Sequence, residues 1–229
     1  MAALTYAESV PGLATLLPTT VTVAQSHGEE LPDGALGLYP GEEELLVRAV
    51  PKRRREFTVA RWCAREALRQ LGAPAGAIPK GSAGEPLWPI GVVGSITHHA
   101  GYAAAVVGWR SQLLTMGVDA EPNEPLPDGV LELTASAGEI THLDSLTVVD
   151  PRVHWGRLLF CAKEAIYKAW YPVHMRWLGF EDVDVRLGLN GSFRGRLLEP
   201  ISSPFDDCQG RWTVDNGVLL AALALPAVD

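Results

Sequence analysis

Apolar positions along this chain follow two periods, and the same order of periods is written twice. From Pro51 onward the pattern is helical: Ala64, Leu68 and Leu71 form one stripe among charged residues. Proline is favoured in a first helical turn and glycine just past the last, so a helix is predicted from near Pro51 to just before Gly72. A second stripe, Ala162, Ile166 and Ala169, runs through "FCAKEAIYKAW" at residues 160–170. The two helices share their wording. Cys63, Ala64, Glu66 and Ala67 match Cys161, Ala162, Glu164 and Ala165, while Trp62 matches Phe160 and Arg65 matches Lys163.

Strand-like runs bracket each helix. "LLPTTVTVA" from Leu16 and "LLTMGVDAE" from Leu113 precede the helices. "GSITHHAGYAAAVVG" and "GRWTVDNGVLLAALAL" follow them as hairpins, turning at Ala100-Gly101 and Asn216-Gly217; Asn-Gly between apolar runs is a strong hairpin signal. Strand, helix, hairpin, twice over, predicts an α+β protein of two similar α/β subdomains, residues 1–109 and 110–229, joined within 107–113. The Pro- and Gly-bearing stretch 122–151 has no counterpart in the first copy.

Composition narrows the class. In 229 residues, 47% hydrophobic and 20% charged describe a soluble globular protein. The net charge of −8 argues against general nucleic-acid binding. The N-terminus lacks the positive start of a signal peptide and no apolar run is long enough to span a membrane, so a cytoplasmic protein is expected. Three cysteines, Cys63, Cys161 and Cys208, show no paired metal spacing and read as free thiols. "KRRR" at residues 52–55 is a local basic patch, suited to a phosphorylated ligand or to a solvated helix face.

Chemistry is expected where the copies differ. In "GVDAE" the strand period puts Asp119 and Glu121 on one face, where the first copy is expected to have Thr22 and Ala24. Paired carboxylates repel unless a cation lies between them, and oxygen ligands with a third acid suit Mg²⁺. A solvated strand end has the same spacing. Glu164 and Lys168 lie one helical turn apart, whereas the first copy has Glu66 and Gln70. Alone they describe a surface pair. Packed against the acidic strand they bring three carboxylates and an ammonium together, as phosphoryl transfer requires. His98 and His99 close a strand beside a turn, a place for core or surface histidines as well as for a site. "PKGSAGEPLWP" is a flexible loop whose Lys80 suits an anionic or heterocyclic ligand, without Walker spacing.

Together these motifs resemble the 4′-phosphopantetheinyl transferases, of the larger, internally duplicated single-chain type, with actinobacterial members the most similar. "GVDAE" followed by "FCAKEAIYKAW" is close to that family's G-(I/V)-D-x-E and (W/F)-x-x-K-E-A-x-x-K signature. "KRRREF", "KGSAGEPLWP" and "GSITHHAGY" fill its upstream motifs in order. The resemblance implies two halves related by a pseudo-twofold, with coenzyme A between them as substrate. It implies transfer of the phosphopantetheine arm to a serine of apo acyl or peptidyl carrier proteins, that is, holo-[acyl-carrier-protein] synthase activity, serving fatty-acid, polyketide or nonribosomal-peptide carriers. By the same resemblance Asp119, Glu121 and Glu164, with the Ala120 backbone, would hold Mg²⁺ or Mn²⁺. Thr97, His98 and Lys168 would meet the phosphates, Arg53 and Arg61 the phosphate end of the nucleotide, and Lys80, Gly81 and Ser82 the adenine. Asp119, Glu164 and Lys168 would carry the chemistry, with Glu164 taking the serine proton. A monomer is expected, because the duplication is an internal dimer. Carrier docking is expected at residues 174–180 and 122–151. Two other readings use the same residues: a metal-dependent coenzyme A or nucleotide pyrophosphatase, and a non-catalytic coenzyme A-binding protein.

Overall fold

Proline at position 18 cannot donate to a sheet ladder, and it displaces the first strand from its expected start. In the structure, a computed structural model that describes residues 12–28, 30–31, 35–99 and 101–227, Leu13–Leu16 is a 3₁₀ turn. Val21 closes a turn onto the Pro18 carbonyl. Strand β1 begins only at Thr22, as Thr22–His27. The leucines expected to open a strand, Leu16 and Leu17, are instead buried plugs of the core.

The remaining elements follow in order. Helix α1 is the short Pro40–Glu43 and α2 is Pro51–Leu71, capped by Gly72 in the left-handed region at φ 78°, as glycine permits. Strands β2 (Val92–His99) and β3 (Tyr102–Trp109) form the first hairpin; its expected turn residue Ala100 lies outside the described residues. Strand β4 is Leu113–Pro122, followed by α3 (Val130–Thr134), α4 (Ala137–Val149) and α5 (Trp155–His174). Strands β5 (Val183–Leu187), β6 (Ser192–Leu197), β7 (Asp207–Asp215) and β8 (Val218–Pro226) complete the fold. Asn216 and Gly217 both take positive φ between β7 and β8, as a type I′ turn requires.

Two antiparallel sheets result, with orders β1-β3-β2 and β4-β8-β7-β6-β5. In both, the leading strand pairs with the second strand of the hairpin, so the repeat extends to topology. Cys63 Sγ contacts the Ala103 carbonyl at 3.6 Å, and Cys161 Sγ contacts the Leu219 carbonyl at 3.8 Å. Ala103 and Leu219 each lie two residues beyond the turn glycines Gly101 and Gly217, so the helices register on their hairpins identically. The same alignment corrects one expectation. Asp119 and Glu121 face Ala221 and Leu219, while their counterparts Ala105 and Ala103 face Ala24 and Ser26. The first copy therefore has Ala24 and Ser26, not Thr22 and Ala24, at the acidic positions. Neither is a carboxylate.

Strand alternation gives each sheet two buried faces. Ala103, Ala105 and Val107 pack with α2, whereas Tyr102, Ala104 and Val106 meet Met116, Val118, Ala120 and Leu220 of the other sheet. Leu219, Ala221 and Leu223 pack against α5. The layers run helix, sheet, sheet, helix. The seam between β2 and β4 is bridged by side-chain hydroxyls: Val118 N–H donates to Ser95 Oγ at 3.1 Å and Ala120 N–H to Thr97 Oγ1 at 3.0 Å.

Candidate active site

Small residues bring α5 onto β4. A Cβ on Gly117 would lie 1.9 Å from the Ala165 carbonyl oxygen and 2.8 Å from the Ala169 nitrogen, so only glycine allows this approach. Thr115 Oγ1 donates to the Ala169 carbonyl at 2.8 Å. Two residues past Gly117 on the same face, Asp119 is buried and receives Lys168 Nζ at 2.6 Å and Thr97 Oγ1 at 3.1 Å, both on Oδ1. Its Oδ2 is buried with no hydrogen-bond partner among the described residues. Glu121 Oε2 receives Arg157 at 3.0 Å. Glu164 stands one turn before Lys168 on α5.

The electrostatics couple these groups. Burial first, and the Asp119 charge second, raise the Glu164 and Glu121 carboxyls above the ordinary range. Burial works against charge on Lys168, but the Asp119 carboxylate and its hydrogen bond, with Glu164, outweigh it and hold the ammonium above its usual pKa. Among the described residues no three His, Cys, Asp or Glu side chains gather into a metal-ligand cluster. Lys168 and Arg157 occupy oxygens of Asp119 and Glu121 instead. The donor set still fits a hard divalent cation: the Asp119 Oδ2 is orphaned, and the two neighbouring carboxyls are held up in a way that a cation would relieve.

A cavity of about 280 Å³ opens beside Glu164 and Lys168. Arg53, Phe57 and Arg61, spaced four apart on α2, form one wall. The Arg61 guanidinium is buried over the Phe57 ring at 4.5 Å, and its Nε has no hydrogen-bond partner among the described residues. Burial lowers the Arg61 pKa, with Glu42 opposing. From β2 comes His98, whose Nε2 lies 2.6 Å from an Arg53 nitrogen. Arginine only donates, so Nε2 accepts and the ring is neutral with its proton on Nδ1. Burial, then Arg53 and Lys168, push the His98 pKa down to about 4.

Not every expected residue faces this space. Lys80 does, but Ala83, Gly84, Glu85 and Pro86 provide the rest of that loop's contact, in place of Gly81 and Ser82. Ser82 is exposed and Gly81 turns back to bond the Glu85 carbonyl at 2.8 Å. Thr97 is buried behind Asp119 and off the cavity wall. Phe57 and Tyr167 were not singled out from the sequence; their spacing to Arg53, Arg61 and Glu164 is the signal that places them on the same faces. In the first copy Glu66 has a different setting. Arg69 and Gln70 bond it at 2.7 Å each, and these bonds draw its carboxyl down to about 2.

Comparison with known proteins agrees with this geometry. The family model of the 4′-phosphopantetheinyl transferase N-terminal domain matches residues 41–108, and that of the 4′-phosphopantetheinyl transferase superfamily matches residues 115–216. The chain is 45% identical to 4′-phosphopantetheinyl transferase PptT of Mycobacterium tuberculosis, over 93% of this chain and 97% of the relative. It is 43% identical to 4′-phosphopantetheinyl transferase Npt of Nocardia iowensis, over 93% and 99%. To 4′-phosphopantetheinyl transferase Svp of Streptomyces mobaraensis it is 40% identical, over 94% and 89%. With both halves matched and the acidic strand and Glu–Lys helix side by side, the chain belongs to the 4′-phosphopantetheinyl transferase superfamily.

Proposed function

We infer that this chain transfers the 4′-phosphopantetheine arm of coenzyme A to a serine of apo acyl and peptidyl carrier proteins, releasing 3′,5′-ADP. The observation that supports it most is the Asp119–Lys168 pair with Glu164, opening into a cavity walled by Arg53, Arg61 and Lys80. Three cations and a neutral histidine suit a ligand with several phosphates. Arg53 and Arg61 take the phosphate end of the nucleotide, and Lys80 with residues 83–86 borders the base. His98 lines the cavity beside Arg53, and Lys168 meets the pyrophosphate.

Transfer forms a bond from the serine oxygen to the β-phosphorus and breaks the bond to the 3′,5′-ADP oxygen. Glu164, on the helix beside Asp119, accepts the serine proton. Lys168 stays charged and stabilises the negative charge that grows on the leaving group. Asp119, Glu121 and Glu164, with the Ala120 backbone, would hold a Mg²⁺ or Mn²⁺ ion, which supplies positive charge against the pyrophosphate. On this reading residues 1–109 provide the nucleotide-side contacts and 110–229 the acids, in a cytoplasmic monomer. No helix among the described residues is long and apolar enough to cross a membrane. The exposed Met175 and Trp177 offer apolar contact to a carrier.

Incubation with coenzyme A, Mg²⁺ and a panel of apo-carriers, read by intact mass, tests the reading. The carrier is expected to gain one phosphopantetheine group as 3′,5′-ADP appears. Release of free phosphopantetheine with unmodified carriers would make the protein a pyrophosphatase instead.

A further inference from the structure

Among the described residues each half buries one glutamate, and the two are wired alike. Glu42 and Glu139 are each 1% exposed. Both are the third residue of a helix, α1 and α4, and accept the backbone N–H of the residue that precedes it. Tyr39 N–H reaches Glu42 Oε2 at 3.0 Å, and Ser136 N–H reaches Glu139 Oε2 at 2.7 Å. The same oxygen takes the cation of the half's long helix, at equivalent positions: Arg65 at 2.8 Å and Lys163 at 2.9 Å. The other oxygen takes a downstream backbone N–H, Ile78 at 3.0 Å and Val185 at 2.8 Å. Each cation also bonds two carbonyls: Leu36 and Gly37 for Arg65, Thr134 and Phe180 for Lys163.

What each glutamate ties down differs. Ile78 stands two residues before Lys80, at the base of the loop that walls the cavity beside Glu164 and Lys168. Glu42 also lies 3.9 Å from Arg61, which lines the same cavity. In the second half, Phe180 and Val183 line a separate cavity of about 170 Å³ with Glu164 and Tyr167. Lys163, the neighbour of Glu164 in the chain, is part of that lining and bonds the Phe180 carbonyl.

We propose that the buried pairs Glu42–Arg65 and Glu139–Lys163 are duplicated positioning residues, the first setting the coenzyme A-binding loop and the second setting the segment that faces Glu164. This rests on the transferase reading above. A buried polar network with every member satisfied fixes one arrangement of the backbone it bonds. Two helices that share wording thus share a device, but the device acts on different stages of the reaction. The first pair governs capture of coenzyme A, and the second governs turnover once it is bound.

The paired variants E42Q/R65M and E139Q/K163M remove both charges of each pair, and E42Q also takes from Arg61 the carboxylate 3.9 Å away. Transfer to one apo-carrier is measured with coenzyme A varied, alongside wild type and circular dichroism. E42Q/R65M is expected to raise KM for coenzyme A about tenfold, with kcat within about twofold. E139Q/K163M is expected to lower kcat about tenfold, with KM within about twofold. If a double variant does not fold, R65K and K163R keep the charge but change its reach, and the same split is expected at about threefold. Folded variants that shift both parameters together, or neither, overturn the proposal. Silent R65K and K163R beside unfolded doubles overturn it too. Failure of wild type to modify the carrier would instead remove the transferase reading.

Discussion

Glu164 and Glu66 hold matching places in matching helices, yet their surroundings differ. One is half-buried near Asp119 with its pKa raised; the other is held low by Arg69 and Gln70. Glu164→Gln is therefore expected to lose on the order of 10²-fold or more in transfer rate. Glu66→Gln should turn over near wild type when folded. Comparing both at saturating coenzyme A decides the matter, and equal damage would refute the division into active and inactive copies. His98 gives a second test at this scale. Its folded pKa of about 4 lies below the ordinary 6.5, so between these values the unfolded chain binds the extra proton and stability rises with pH. The difference amounts to about 3 kcal/mol, fully present above pH 6.5 and lost as pH falls toward 4. Urea unfolding across that range should flatten in His98→Gln; an unchanged slope would place the titration elsewhere. The sequence made Asp119, Glu164 and Lys168 legible through spacing and duplication. It did not show that Lys168 would occupy Asp119, or that Ser82 would turn outward, because both depend on contacts between distant segments.

At the scale of elements, the pattern placed α2 from near Pro51 to just before Gly72, and the helix spans Pro51–Leu71, because these two residues mark its ends chemically. It missed α4, although Ser136 and Glu139 form a capping box. It also missed β5 and β6, which have no counterpart in the first copy and so gain nothing from the repeat. The first strand was placed too early because Pro18 and the 3₁₀ turn interrupt an otherwise strand-like run. Gly117 shows what an element contact demands of sequence. Gly117→Ala would drive a methyl into the α5 backbone, and we expect a loss of about 1–3 kcal/mol with a displaced Lys168. A lowered midpoint in thermal unfolding with weakened transfer is the expected pair of results. Wild-type stability in that variant would contradict the close packing of α5 on β4.

For the whole molecule, the cavity draws one wall from each half, so ligand affinity should report on their union. Arg53 belongs to the first half and bonds His98 at 2.6 Å, while Glu164 and Lys168 come from the second. If Arg53 meets the 3′-phosphate, Arg53→Ala should weaken coenzyme A binding by about tenfold and dephospho-coenzyme A far less. Isothermal titration of both ligands measures this, and equal losses would move Arg53 off that phosphate. The duplication was readable at this scale because it repeats order as well as wording. The hydroxyl bridges across β2 and β4 were not, since nothing in Ser95 or Thr97 alone names a partner.

The matched cysteines give the molecule two internal clocks. Cys63 and Cys161 are fully buried against equivalent carbonyls, and burial pushes the Cys63 thiol up to about 12 and the Cys161 thiol well above its ordinary value. Thiolate is the reactive form, so alkylation of either must wait until its own half opens. Pulse labelling in mild denaturant, with each site resolved by peptide mass, should therefore time the opening of the two halves separately. Simultaneous labelling would mean that the halves unfold as one unit; staggered labelling would reveal which half, once freed of the other, still remembers how to fold.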